Sequence, residues 1–481
     1  MEGNNKRRSF LKNITIGSVG AAVAPTSLLQ AKEAGIIDQN DKSEKAESPA
    51  KTSLKRKYNA PYKAEYLNRL AFPVGGIGAG MFCIEGTGAI SHMSVRNKPE
   101  IFNEPAMFAA ISVKGMKNGA KVLEGQVPEW KFFGQRGTGN GASGTTFGLP
   151  RFKNAEFITE FPFCTINLQD SDVPLKVQIK GWSSFIPTDE DNSSLPAGGI
   201  EYKFVNNSAA SVSAVFSYNA KNFMAANKEA PNSIKKIDNG FVLSQDEAKD
   251  KPEYQGNFAI FTDDANTIVD YCWFRGGWWD PLTMAWNKVR DGIVQAVEPV
   301  EKDAPGASLY VPFTLLPKAT KTIRVMMAWY VPETDMHIGE VVKDEKKNCD
   351  PASGCCGSPA DLGVATGKQN SSPNYKPWYS SRFNSIYEVT DYWRRNYDEL
   401  KSNSNLFKEA FYASTLPAEV IEAVAANLTI IKSPTVLRQY DGRLWSWEGC
   451  SDDNGCCHGN CTHVWNYGQA IPNLFPSLER T

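Results

Sequence analysis

The sequence predicts a β-sandwich followed by the first helices of an α-helical domain. Three observations carry that prediction. Between residues 60 and 345 apolar side chains alternate in period two over many short runs. From residue 375 the apolar spacing changes to that of helices. Between the two lies a Gly/Ser/Pro-rich connection, residues 346–374. A chain of 481 residues is long enough for about two or three domains with ample core.

The N-terminus reads as a targeting segment. Residues 6–12, KRRSFLK, place Arg7 and Arg8 before Ser9, Phe10 and Leu11, and the modestly apolar ITIGSVGAAVA follows at 14–24. This is the layout of a twin-arginine export signal over residues 1–31, with small residues near Ala31 for cleavage. It implies a periplasmic or extracellular protein. The apolar run is too short and too rich in Gly and Ala to span a bilayer, so no transmembrane span is expected. Residues 32–59 are charged and poor in apolar residues, which predicts a disordered linker. The formal net charge of −1 offers no basic footprint for nucleic acid.

The sandwich, residues 60–345, is read from its strands. Leu175, Val177 and Ile179 alternate, as do Val212, Ala214 and Phe216, and Ile323, Val325, Met327 and Trp329. Leu309, Val311, Phe313 and Leu315 alternate too, with Pro312 on the opposite face, which suits an edge strand. Asn206-Asn207, Asp238-Asn239-Gly240 and Asp263-Asp264 supply turns. No helical pattern intervenes, so an all-β domain is expected. GGIGAG (75–80) is no dinucleotide site, because strand and turn residues follow it where a helix should open. Its glycines let the backbone turn tightly beside another surface. The Gly-rich stretch 134–148 reads as a mobile loop bordering a cleft. Trp278, Trp279 and Trp286 either pack between domains or touch sugar, and packing is the expectation.

The helical part begins with Phe383, Ile386, Tyr387, Thr390, Trp393, Tyr397 and Leu400 on one helix face, with Asp391 and Arg395 as an i,i+4 pair. A second helix starts with Pro417 in its first turn and buries Val420, Ile421, Val424, Ala425 and Leu428. TVLRQYDGRLWSWEG then reads as a hairpin turned at Asp441-Gly442. Val464, Tyr467 and Ile471 open another helix, stopped or kinked at Pro472.

Glu448 closes the hairpin, directly after Trp445 and Trp447 and before Gly449. Indole faces hold the apolar face of a pyranose, and a carboxylate beside them meets the anomeric carbon. The alternative is a surface glutamate.

Downstream of Glu448, GCCHGNCTHVWNYGQAIPNLFPSLER resembles the opening of the catalytic domain of glycoside hydrolase family 116. That family contains non-lysosomal glucosylceramidases and bacterial β-glucosidases. EYLNRLAFPVGGIGAGMFCIEGTGAISHMSVRNKPEIFNE (65–104) resembles the start of the same family's N-terminal domain. The two stretches stand in the family's order, and the resemblance spans about residues 62–481. It implies that residues 375–481 begin an (α/α)6 barrel, and hence that the chain is truncated. It implies a retaining glycosidase of β-glucosidase or glucosylceramidase type, with Glu448 as nucleophile and a carbohydrate or glycoconjugate as substrate. The family's acid/base is an Asp well into the barrel, so Asp452 and Asp453 are not expected to supply it. Where human-like members carry an acidic residue for sugar hydroxyls, this chain has Asn460, Thr462 and His463, so Thr462 and His463 join Trp445 and Trp447 as expected substrate contacts. No cofactor and no metal are expected. The alternative is a non-catalytic exported carbohydrate-binding or scaffold protein.

The ten cysteines include Cys349, Cys355 and Cys356 in the connection and Cys450, Cys456, Cys457 and Cys461 after Glu448. Export permits disulfides, the first reading; zinc is the second, although the spacing matches no standard zinc module, and redox catalysis is the last. If the export reading holds, Arg7→Lys with Arg8→Lys keeps a reporter fusion in the cytoplasm, and efficient export of that double variant contradicts it.

Overall fold

The computed structural model describes residues 56–133, 145–248, 251–336, 375–456, 459–460 and 466–481, and Arg56–Thr481 form one compact unit. The export signal, most of the linker, the Gly-rich stretch 134–144 and the connection lie outside the described residues.

Two antiparallel sheets make the sandwich. The larger runs Tyr62–Lys63, Asn154–Glu160, Phe163–Gln169, Leu175–Trp182, Ala197–Asn206, Thr320–Tyr330, Gly256–Thr262, Gly240–Gln245 and Asn232–Ile237, in that spatial order. The smaller runs Ile268–Asp270, Gly306–Leu315, Val212–Lys221, Met107–Val113 and Ala120–Val122. The alternation read from the sequence is what joins them. Val177, Ile179, Ile323, Val325 and Met327 point inward from one sheet, and Phe216, Leu309 and Val311 from the other, all buried in one core. Aromatic pairs bridge the layers: Tyr202 and Phe216 at 5.0 Å between ring centroids, Phe204 and Phe313 at 5.3 Å. Each such apolar side chain contributes about 1.5–3 kcal/mol by leaving water. Pro312 sits where the smaller sheet is open. Its register partner is Val215, and the short strand Ile268–Asp270 reaches only Ser308–Tyr310.

The outer faces are covered as well, and here the all-β expectation is corrected. The helix Pro281–Arg290 lays Leu282, Ala285, Trp286 and Val289 against Phe108, Ala110, Val215 and Tyr310 of the smaller sheet. The 27-residue helix Ile386–Tyr412, capped by Ser385, crosses the larger sheet. It buries Ile386, Val389, Trp393, Tyr397 and Leu400 against Trp182, Ala197, Phe261, Met326 and Ala328. The Tyr397 hydroxyl accepts from Trp182 Nε1 at 2.8 Å and donates to Glu201 Oε1 at 3.1 Å, and Lys401 Nζ donates to the same oxygen at 2.5 Å. Tyr387, expected on the buried face, is exposed, and Val389 takes its place. Arg395 donates to the backbone carbonyl of Asp391, 3.2 Å away.

The next helix, Ala418–Ile430, buries Ile421, Ala425 and Leu428 but leaves Val420 and Val424 exposed, and Pro417 is its N-cap. Short turns Tyr467–Ala470, Ile471–Leu474 and Pro476–Arg480 end the chain. A ring of paired helices is not present among the described residues. Among the described residues Trp278 and Trp279 are exposed, whereas Trp286 is buried.

Lys432, just after that second helix, is buried. Among the described residues its Nζ donates to the carbonyls of Ser183 and Ser184, at 3.1 and 3.3 Å, and burial pulls its pKa well below the ordinary lysine value. Between that lowered value and the ordinary one the unfolded chain binds more protons than the native state, so this group's contribution to stability rises with pH up to the ordinary lysine pKa. Urea melts of the wild type and Lys432→Met test it. The wild type should gain on the variant by up to ~1.4 kcal/mol per pH unit as the pH rises toward the ordinary lysine pKa. A pH-independent difference contradicts the lowered pKa of Lys432.

Candidate active site

The strands Val436–Arg438 and Leu444–Ser446 form the expected hairpin, pairing Val436 with Ser446, Leu437 with Trp445 and Arg438 with Leu444. Gly442 turns it at φ 94°, and the Gln439 amide donates to the Arg443 carbonyl at 2.7 Å. So short a hairpin is marginal by itself. Arg438 fastens it. Its amide donates to the Gly78 carbonyl at 3.1 Å, and its own carbonyl accepts from the Trp378 amide at 2.8 Å and the Tyr375 hydroxyl at 2.7 Å. Its buried guanidinium lies 4.0 Å over the Trp378 ring and reaches Asp191 Oδ1 at 2.9 Å and the carbonyls of Glu190 and Gly442 at 3.3 Å.

Gly78 belongs to the turn between strands Ala71–Gly75 and Met81–Glu85. This strand–turn–strand arrangement agrees with the exclusion of a dinucleotide site. Gly78 has φ 66°, and a Cβ there would collide with the Arg438 backbone nitrogen. The surface beside which the glycine motif turns is therefore the hairpin that carries Glu448.

Alternation sends Leu437, Trp445 and Trp447 to the other side, into a cluster with Tyr375. Trp445 and Trp447 stack, with centroids 5.2 Å apart and planes 26° apart. They are 8% and 6% exposed. A Cβ at Gly455 would collide with the Trp447 ring and one at Gly459 with the Trp445 ring, so the following loop lies flat on both indoles. The expected open stacking faces are thus occupied by packing, and the indoles support the backbone beside Glu448. The Trp447 amide donates to the Thr435 carbonyl at 3.0 Å, and the Tyr467 hydroxyl bonds the Trp447 carbonyl.

Glu448 follows this pinned residue and is half-buried. Among the described residues, nothing stands within 4 Å of a Cβ built on Gly449. The loop beyond is tied at both ends. Cys456 donates its amide to Gly449 at 3.0 Å, Asp452 accepts from the Ile101 amide at 2.9 Å, and Asn460 donates its amide to Ser446 at 2.6 Å. Chemically, the arrangement is a half-buried carboxylate on backbone pinned by its neighbours, suited to a nucleophile or a general base.

Asp452 and Asp453 are exposed on that loop. Thr462 and His463 lie outside the described residues. Cys83, Cys164, Cys272, Cys450 and Cys456 are free thiols, and the other five cysteines lie outside the described residues. Disulfides are therefore not formed by Cys450 or Cys456 here. Burial pushes the Cys450 thiol above its ordinary pKa, which disfavours the thiolate that redox or metal chemistry needs. No group of metal-ligating side chains able to hold an ion occurs among the described residues. Sequence reasoning missed Arg438, Tyr375 and Tyr467. Their one audible signal was the glycine motif's need for a neighbouring surface.

A family model described as beta-glucosidase 2, glycosyl-hydrolase family 116 N-term, matches residues 71–400. The chain belongs to glycoside hydrolase family 116. The match ends inside the long helix that crosses the larger sheet, so helix and sandwich fall within one family-116 domain pattern. No curated protein sequence matches the chain. Among solved structures it is similar to a bacterial glucoamylase complexed with acarbose, at 10% identity and a TM-score of 0.37, over 75% of this chain and 40% of that one. It is also similar to a family GH92 α-mannosidase from Bacteroides thetaiotaomicron, at 10% identity and a TM-score of 0.27, over 79% of this chain and 42% of that one. The chain thus spans well under half the length of these structures.

Gly78→Ala combines left-handed strain with a backbone collision, and should cost roughly 2–5 kcal/mol of stability in a denaturant melt. It should also loosen protection of the hairpin amides. A loss below about 0.5 kcal/mol would show that the turn does not hold the hairpin.

Proposed function

We propose that this family-116 chain carries the nucleophile side of a retaining β-glucosidase- or glucosylceramidase-type active site, with Glu448 as the nucleophile. The observation that carries the reading is Glu448 itself: a half-buried carboxylate on backbone pinned through Trp447 and Arg438. Its anion attacks the anomeric carbon, the sugar's leaving oxygen departs, and water later hydrolyses the glycosyl ester. A retaining site needs a second carboxyl group about 5–5.5 Å away to protonate that oxygen. The proposal gives this role to neither Asp452 nor Asp453, and by the family resemblance it falls to an Asp of the helical barrel. The sugar is bound on the hairpin side, with Thr462 and His463 as its hydroxyl contacts. In this reading the protein acts after export through its twin-arginine signal.

A substrate with a very acidic leaving phenol isolates the nucleophile, because such a group departs without general-acid help. Incubated with 2,4-dinitrophenyl 2-deoxy-2-fluoro-β-glucoside, the chain should become glycosylated on the peptide containing Glu448, and Glu448→Gln should not. Labelling on another carboxylate, or equal labelling of the variant, contradicts the assignment. The alternative, a non-catalytic sugar-binding protein, predicts binding of glucosides with no covalent adduct.

A further inference from the structure

The segment Phe274–Asp280, FRGGWWD, is not used by anything described for Glu448. All seven of its residues are exposed, Trp278 at 95% and Trp279 at 65%. Indoles are ordinarily well buried, so two adjacent ones in water require a reason. The segment is also firmly held at both ends. Before it, Trp273 is buried, its amide donating to the Gly306 carbonyl at 2.9 Å and its indole to Ser308 Oγ at 2.8 Å. After it, Asp280 caps the helix Pro281–Arg290, accepting from the Thr283 amide and hydroxyl, both at 2.9 Å. The two indoles are therefore presented on a short span between fixed points, which lowers the entropic cost of using them as a contact.

Topology puts this span at the end of the sandwich that carries Glu448. In the smaller sheet Ala220 pairs with Met107 and Lys221 with Gly306, so these residues share one end with Trp273. From that end residues 95–105 run to the loop after Glu448, where the Ile101 amide meets the Asp452 carbonyl at 2.9 Å. The same run is tied to the larger sheet through Asn97 Nδ2, which donates to the Val331 carbonyl at 3.0 Å.

The chemistry of the span selects its ligand. It carries one cation, Arg275, and one anion, Asp280, so it offers no net charge to an anionic lipid surface or to nucleic acid. It offers aromatic faces beside the exposed backbone of Gly276 and Gly277. The C–H face of a pyranose is apolar and uncharged, and its rim of hydroxyls bonds backbone groups. We propose that Trp278 and Trp279 form a second carbohydrate-contacting element, which holds a sugar unit of a neutral oligosaccharide or β-glucan away from the bond at Glu448. This rests on the glycosidase reading for its choice of ligand.

The probes are cellotetraose and a soluble mixed-linkage β-glucan, with binding read by tryptophan fluorescence and by affinity electrophoresis. Trp278→Ala with Trp279→Ala removes exposed groups only, so circular dichroism should be unchanged. The double variant should bind the β-glucan at least ~10-fold more weakly than the wild type. Leu316→Ala, at an exposed position on the opposite end of the sandwich, should bind like the wild type. Wild-type binding retained by the double variant overturns the proposal. So does absence of binding by the wild type, and so does loss of self-association, seen by sedimentation, as the variant's only change. Labelling of Glu448 is a separate readout, so failure of the nucleophile assignment leaves the binding result distinguishable.

Discussion

The constraint on which the rest depends is the buried guanidinium of Arg438. A hairpin of three-residue strands cannot hold a carboxylate in place by itself. Arg438 ties it through main chain to Gly78, Tyr375 and Trp378, and through side chain to Asp191, Trp378 and two carbonyls. Burying a cation is costly unless every donor is met, and here the donors are aimed at a carboxylate, two carbonyls and an indole face. A lysine would supply the charge but not the planar fork that reaches these partners together.

Arg438 has something rigid to grip because the larger sheet is covered on both faces. One face meets the smaller sheet and the other the helix Ile386–Tyr412, so neither layer can slide without opening a core. The chain segments that fix the hairpin, Gly75–Gly80, Glu190–Leu195 and Tyr375–Trp378, all leave this framework at one end. The Ile77 amide donates to Ser193 at 2.7 Å, and Trp329 Nε1 donates to Ala79 at 2.7 Å, which locks the glycine turn against the sandwich. The chain thus divides into a β-framework and a loop end that carries the Glu448 hairpin.

Much of this was legible in the sequence, and the failures have physical causes. Period-two alternation found the strands whose side chains split between the core and a different environment. It said little about Met107–Val113, which is buried on both faces and reads as a continuous apolar run. Pro281–Arg290 has apolar residues at helical spacing, but the surrounding tryptophans drew attention to themselves instead. Trp273, Trp286, Trp278 and Trp279 lie within fourteen residues, and two are buried and two exposed, a difference that depends on tertiary position and not on residue type. Val420 and Val424 fit the apolar stripe of their helix and still face outward among the described residues, which periodicity alone does not reveal. Of the candidate site, Glu448 and the hairpin turn were readable. The closed packing of Trp445 and Trp447 was not, since it depends on Gly455 and Gly459 lying against them. Arg438 gave no local signal, because an arginine in a strand ordinarily faces water.

Through Arg438 the sandwich holds the Glu448 hairpin as part of its own cooperative unit. Native-state hydrogen exchange of the amides of Arg438 and Trp447 tests it most directly, compared with core amides such as those of Phe204 and Val325. The hairpin amides should exchange only as fast as the core, through global opening. Rapid exchange of Arg438 and Trp447 from a still-protected sandwich would show that the hairpin opens alone, and would contradict it.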